Sequence, residues 1–346
     1  MMKLLTSVWC LLLSIYFAES GLENSLFKWS AELRNFTRGL KVENSVGELV
    51  ELSIESEPPR LKGLFNSSQV QFFLHTRQSQ NSPVQLITDD PQSLNGSRFD
   101  SNKHTFLVTH DWMGDKRSRS CAFIRDELLK KQDSNVIVVD WGSIASSDYG
   151  TTRLQVRDVG RALTRMIEHL QRVGSLKPVR TTLIGHGVGA HVMGIAGSLA
   201  KDPIGVVIGL DPAYPLFVDY HRGQGITVHD AVHVQIIYSD PGFLGISTPR
   251  GHTNIHLNNG HPQPECGSDQ FHACSHSRAV EYLGESINAK CGYCAAQCRA
   301  SDPDLCSPAC LGSAALPLRN REAYYFNGKI ETKNASCPPE SQFETE

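Results

Sequence analysis

The sequence predicts an α/β fold of a single domain, with a mostly parallel central sheet flanked by helices. Three observations carry that expectation. From about residue 70 onward, short β-branched runs alternate with stretches of helical periodicity. Several of the runs are apolar at every position, as strands covered on both faces must be. The helical stretches carry apolar stripes, so each has a face to bury.

Taken in order, strands are expected at Val70 to Thr76, Thr105 to Thr109, Asn135 to Asp140, Thr181 to Gly185, Val206 to Leu210 and Val232 to Tyr238. Helices are expected at Ser118 to Lys131 and at Arg153 to Val173, where Val159, Leu163, Ile167 and Leu170 recur every three or four residues. A third helix begins after Gly187. Its Ala190, Val192, Met193, Ile195, Ala196 and Leu199 leave little polar surface, which predicts burial. A fourth runs from Ser277 to about Ile287. Residues 21–69 have a weak, partly charged pattern to which no fold is assigned. The tail 313–346 has no strong pattern either, so the organisation expected is a leader at 1–20 and one domain over 70–312.

Composition narrows the function classes. The 346 residues are 40% hydrophobic and 20% charged, an ordinary globular balance. The net charge of −3, with no basic block, removes the electrostatic case for nucleic acid or strong anionic-membrane binding. The first twenty residues read as a cleaved signal peptide: Lys3, then an apolar stretch from Leu4 to Ala18, then the small residues of Ala18-Glu19-Ser20. That stretch falls short of the roughly 20 residues a membrane span needs, and no later segment reaches it. Secretion is therefore expected. Cysteine usage agrees. Cys10 lies in the leader, and Cys291, Cys294, Cys298, Cys306 and Cys310 crowd together, which after a signal peptide reads as disulfides rather than zinc. The mature chain keeps an odd number of cysteines, and Cys121 and Cys337 have no near neighbour. Sequons begin at Asn35, Asn66, Asn95 and Asn334.

Chemistry concentrates in Thr181 to Gly197, TTLIGHGVGAHVMGIAG. A strand, a glycine-spaced turn and an apolar helix follow one another, the layout of the G-x-S-x-G nucleophile elbow. Gly185 and Gly189 sit where strand and helix approach closely. The central position, where the motif has serine, is Gly187. Such a turn costs a residue with a side chain about 1–3 kcal/mol, and glycine avoids most of that. The same segment also fits G-x-G-x-x-A through Gly185, Gly187 and Ala190, with Asp211 ending another strand about twenty residues on, the outline of a dinucleotide fingerprint. A signal peptide argues against that alternative, since nicotinamide cofactors are scarce outside cells.

With Gly209-Leu210-Asp211-Pro212-Ala213 and Cys274-Ser275-His276-Ser277-Arg278-Ala279, the chain order becomes nucleophile position, acid, histidine. On these residues, with FFLHTR, NVIVVDW and Gly251-His252, the sequence resembles the pancreatic-type lipase family from about Gln71 to Gly312. It is most similar to the insect branch of venom sn-1 phospholipases and lipase-derived yolk proteins. The resemblance implies an α/β-hydrolase fold, with Asp211 as triad acid and His276 as triad base. It implies oxyanion-hole donors on the backbone N–H groups of Trp112 and Val188. Where the family has His-Gly-aromatic, this chain has His110-Asp111-Trp112. A carboxylate there either disturbs the loop and opposes developing negative charge, or points outward as a surface aspartate. Cys266 and Cys274 frame only seven residues, Gly267 to Ala273, where the family places its lid.

The segment Arg222 to Asp230, which corresponds to the family's calcium loop, keeps one carboxylate, so no metal and no cofactor are expected. Two functions follow. One is a secreted, catalytically inactive pseudoenzyme that binds a lipid, a lipid-like ligand or a protein partner. The other is an active carboxylic ester hydrolase with a non-standard nucleophile, for which Ser275 is the nearest hydroxyl in sequence to His276. If only the nucleophile is missing, Gly187→Ser alone is expected to restore turnover.

Overall fold

The computed structural model describes residues 35–52, 54, 65–80, 82–217, 221–258 and 260–288, and the backbone of three strands beyond them. The leader, Asn334, Cys337 and the side chains of the clustered cysteines lie outside the described residues. Asn35, Asn66 and Asn95 are exposed.

A hairpin of β1 (Lys41–Glu43) and β2 (Leu49–Glu51) stands apart from the main sheet. That sheet is built from β3 (Gln71–His75), β4 (Val84–Leu86), β5 (Thr105–Thr109), β6 (Asn135–Asp140), β7 (Thr181–His186), β8 (Val206–Leu210), β9 (His233–Tyr238), β10 (Thr253–Leu257), β11 (Tyr293–Arg299), β12 (Asp302–Leu311) and β13 (Glu322–Phe326). Their order is β12-β11-β13-β10-β9-β8-β7-β5-β6-β3-β4. The stretch from β6 to β13 through the middle is parallel, and the pairs at both edges are antiparallel. Cys294 stands opposite Cys310 and Cys298 opposite Cys306 in the β11–β12 register.

Helices cover both faces. They are α1 (Arg119–Lys131), the short α2 (Gly142–Ala145), α3 (Tyr149–Gly174), α4 (Val188–Leu199) and α5 (Ala273–Asn288). Alternation along β5 shows the two-sided burial. Leu107 joins the core beneath α3 and α4 with Leu163, Ile167 and Ile195, while Phe106 and Val108 join the core beneath α1 and α5 with Ile124, Leu128 and Leu283. The expected strands stand within a residue or so of their bounds, and α4 is buried along most of its length.

Two helices start earlier than their stripes suggest, because capping fixes a start more sharply than apolar spacing does. Asp148 accepts the Thr151 N–H, so α3 begins at Tyr149 rather than Arg153. Asp269 accepts the N–H groups of Cys274 and Ser275, so α5 begins at Ala273 rather than Ser277. β10 went unread because Thr253, Asn254 and His256 interrupt its apolar pattern.

The parallel strands share a direction, so the loops after β5, β7, β8 and β9 meet at one edge of the sheet. Glycines permit the closest approaches there. A Cβ on Gly185 would come within 2.3 Å of the Gly189 carbonyl oxygen, and one on Gly189 within 2.1 Å of the His110 carbonyl oxygen.

Leu163, with no exposed surface, takes part in the α3–α4 core. Leu163→Ala should lower unfolding free energy by about 2–5 kcal/mol in urea titrations. Val179→Ala, at a residue 65% exposed, should stay within about 0.5 kcal/mol of wild type.

Candidate functional site

Three loops at the carboxyl edge and the first turn of α5 bring together Asp111, Gly187, Asp211 and His276, all buried. Asp211 follows β8 with φ +41°. Its Oδ1 accepts the N–H groups of Ser239 (2.8 Å) and Asp240 (3.0 Å), and its Oδ2 lies 2.7 Å from His276 Nδ1. A Cβ on Gly245 would fall 2.4 Å from that carboxylate, which is why only glycine fits beside it. His276 stands in the first turn of α5, and its other ring nitrogen, Nε2, is 3.0 Å from Asp111 Oδ2. The imidazole is thus held between two carboxylates.

Asp111 is not an outward-pointing surface residue: it is 7% exposed, and its carboxylate turns inward. Asp111 Oδ1 accepts the N–H of Trp112 at 2.7 Å and the N–H of Val188 at 2.6 Å. Those are the two backbone donors the sequence resemblance assigns to the oxyanion hole. An inward turn is favoured because Val188 N–H opens α4, where the helix dipole and unpaired N–H groups attract an anion.

Gly187 links β7 to α4 with φ +53° and ψ −118°. Its N–H donates to Leu210 O (3.0 Å), and its carbonyl accepts from Ala190 N (3.2 Å) and Ala213 N (3.1 Å). A Cβ built there would lie 2.2–2.3 Å from all three atoms of the Asp111 carboxyl group. The carboxylate fills the volume a side chain at 187 would need.

Charge follows from these contacts. Burial opposes a charge on His276, but hydrogen bonds to Asp111 and Asp211 and their negative charge push its pKa up to about 10. Burial alone would raise the Asp111 carboxyl. The hydrogen bond from His276, the imidazolium charge and the Val188 N–H outweigh it and hold the carboxyl below its usual range. His186, whose ring tilts over His276 at 4.5 Å, is pushed down to about 4 by its burial. His186 escaped the sequence reading, since a single histidine inside the turn carries no spacing signal. Asp111, His186 and His276 offer ligand atoms within 4.8 Å of one another. The Asp111 and His276 charges already satisfy each other, so no ion is needed to neutralise them.

Ser275 is not a free hydroxyl. Its Oγ accepts the Gln263 N–H at 3.0 Å. The disulfide Cys266–Cys274 is formed, and the loop it closes is held by the N-terminal hairpin, where Lys41 N–H donates to Phe271 O at 3.0 Å. Cys121 is a buried free thiol. In the segment 222–230, Asp230 turns inward and accepts the Thr227 N–H (2.6 Å) and hydroxyl (2.9 Å).

The Lipase family profile matches residues 50–317, well over half of the chain. The chain belongs to the lipase family. Its fold, a mostly parallel sheet flanked by helices, is of the α/β class that the sequence predicts. Phospholipase A1 of Vespula vulgaris is 28% identical over 240 residues, covering 66% of this chain and 71% of the wasp protein. Inactive pancreatic lipase-related protein 1 of Canis lupus familiaris is 29% identical over 262 residues, covering 68% and 56%. Pancreatic triacylglycerol lipase of Homo sapiens is 29% identical over 250 residues, covering 66% and 53%. The chain spans little more than half the length of these pancreatic relatives. Among solved structures, Est1E from Butyrivibrio proteoclasticus is 12% identical with a TM-score of 0.35, covering 63% of this chain and 91% of that one.

Family membership overturns the dinucleotide alternative. The helix N-terminus a pyrophosphate would need is taken by the Asp111 carboxylate, and Asp211 faces an imidazole rather than an open ribose site. Among the described residues, no helix is long and apolar enough to cross a membrane.

Two titrations check the electrostatics. A histidine raised above its ordinary 6.5 contributes stability fully below that pH and loses it as pH rises towards about 10. Unfolding free energy should therefore fall between pH 6.5 and 10, less steeply in Asp111→Asn, and the His276 ring should remain an imidazolium by nitrogen NMR at pH 8. Burial pushes the Asp230 carboxyl up to about 7. Its contribution is present below the ordinary 3.8 and is lost as pH rises through 7. The thermal-midpoint gain of Asp230→Asn over wild type should grow from pH 5 to pH 8.

Proposed function

We propose that this lipase-family chain is a secreted pseudoenzyme that binds a lipid, a lipid-like ligand or a protein partner without hydrolysing it. In this reading Gly187 stands where active members carry the nucleophilic serine, and Asp211 and His276 are a vestigial acid–base pair. The observation that carries it is the position of the Asp111 carboxylate.

Ester hydrolysis by this fold needs three things, and one carboxylate opposes all of them. It needs a nucleophile on the elbow, whose loss costs roughly a million-fold in turnover in serine hydrolases. At Gly187 the space for one is filled. It needs two N–H donors aimed at the developing oxyanion, each worth about 3–4 kcal/mol of transition-state stabilisation. The N–H groups of Trp112 and Val188 are already bound to a negatively charged oxygen at 2.7 and 2.6 Å. It needs a neutral imidazole as general base. His276, raised to about 10, is protonated at neutral pH. A family relative named as an inactive lipase-related protein supports the same reading.

The competing reading is an active hydrolase with a non-standard nucleophile, and it has less support. The Ser275 hydroxyl is engaged with Gln263, and both Asp111 oxygens are occupied. Ester hydrolysis in the extracellular lipid pool remains its decisive sign.

Restoration is the test. Gly187→Ser alone is not expected to restore turnover, because the new side chain would meet the Asp111 carboxylate. Wild type, Gly187→Ser and Asp111→Gly should each be silent on a fluorogenic sn-1 phospholipid and a short-chain ester. The double variant Asp111→Gly/Gly187→Ser should hydrolyse at least one of them, by roughly 100-fold or more over wild type, the scale of recovering one oxyanion donor. Wild-type turnover well above background would end the pseudoenzyme reading.

A further inference from the structure

A second constellation lies one helical turn before His276, beside the disulfide loop, and its two imidazoles have no role above. The loop after β9 contributes Asp240, the segment after β10 contributes His261, and the disulfide loop contributes Asp269 and His272. His272 Nδ1 is 2.9 Å from Asp240 Oδ1. His261 Nδ1 is 3.4 Å from that same oxygen and 3.5 Å from Asp269 Oδ2. The donor atoms of Asp240, His261 and His272 all lie within 4.8 Å of one another.

The two separations from His261 suit a shared cation, whereas the 2.9 Å His272–Asp240 pair is a hydrogen bond that an ion would spread. Zinc binds nitrogen and oxygen ligands at about 2.0–2.1 Å in a tetrahedron, which sets neighbouring ligand atoms about 3.3–3.4 Å apart. Two imidazoles and a carboxylate are also the ligand chemistry such an ion takes. His261 Nδ1 is buried and makes no hydrogen bond, although two carboxylates stand within 3.5 Å of it. A buried polar atom left in that state calls for a partner.

Charge points the same way. Asp240 is fully buried, and its backbone N–H contacts the Asp211 carboxylate at 3.0 Å, so two buried anions lie close together. Among the described residues, Asp240 Oδ2 accepts the Leu244 N–H alone, at 3.0 Å. Among the described residues, imidazoles alone form ion pairs with Asp240 and Asp269. The His261 and His272 rings stack at 3.8 Å, an arrangement that suits neutral ligands better than two imidazolium ions. Phe243 stacks on His272 at 4.0 Å.

We propose that Asp240, His261 and His272 bind a divalent cation of the zinc class that ties the Cys266–Cys274 loop to the carboxyl edge of the sheet. This site is separate from the segment 222–230, on which the expectation of no metal was based, and it departs from that expectation. It stands whether or not the chain hydrolyses esters. Because Ser239 and Asp240 hold Asp211 through their N–H groups, the ion also braces the Asp211–His276 pair.

The experiment is calorimetric titration of the EDTA-stripped, full-length secreted protein with zinc chloride, followed by the cobalt(II) absorption spectrum. His261→Gln and His272→Gln are run beside His186→Gln, which reports on the Asp111–His186–His276 cluster. One equivalent of zinc should bind to wild type. Affinity should fall by roughly 100-fold or more in both loop variants, since loss of an outer-shell partner alone costs about 10–100-fold. His186→Gln should bind as wild type does. Cobalt should give the intense visible bands of a tetrahedral site without thiolate charge transfer. Should a loop variant fail to fold by near-ultraviolet dichroism, the cobalt spectrum of wild type and a zinc-dependent rise in its thermal midpoint carry the test. No binding to wild type, binding that survives both loop substitutions, loss confined to His186→Gln, or thiolate bands would each overturn the proposal.

Discussion

The 2.6 Å contact between the Asp111 carboxylate and the Val188 N–H joins the loop after β5 to the first residue of α4, and the rest of the carboxyl edge is arranged around it. An anion at that helix start is favoured by the dipole and by N–H groups that have no partner within the helix. Its second oxygen then draws in the His276 ring, which Asp211 holds from the opposite side. Two carboxylates flanking one imidazolium leave a single net negative charge, and backbone N–H groups from Trp112, Val188, Ser239 and Asp240 surround it. Removing one member would strand a buried charge, a loss on the order of 3–5 kcal/mol. Such an array persists for stability even where no reaction uses it.

Gly187 and Asp111 explain each other. A side chain at 187 would displace the carboxylate, and without the carboxylate the turn would enclose unpaired N–H groups. Glycine also accepts the φ of +53° that joins strand to helix here. In the proposed function the two departures from the family pattern therefore act as one, and neither is fully described without the other.

The sheet makes these coincidences possible. Parallel strands bring the ends of β5, β7, β8 and β9 to one edge, so residues far apart in sequence converge there, as in other open α/β sheets. The proposed cation site grows from the same edge. Asp240 faces His261 and His272 with its side chain and Asp211 with its backbone, so both clusters share one support.

Much of this protein was legible in the order of its residues. Continuous apolar runs fixed the parallel strands and their two-sided burial, because a strand covered on both faces has no polar positions to spare. Glycines at 185 and 189 marked close approach, and the 3.6-residue stripe of Val159, Leu163 and Ile167 marked α3. The segments around Gly187, Asp211 and His276 identified the site by motif. Tertiary structure alone decided how those side chains meet. Whether Asp111 pointed to solvent or to the Val188 N–H depended on the start of α4, 77 residues away, and local sequence holds no trace of that distance. His261 and His272 follow no ligand spacing, and only the fold of the segment after β10 and of the disulfide loop brings them to Asp240. Periodicity records which face of an element is buried; it does not record which buried polar atoms meet.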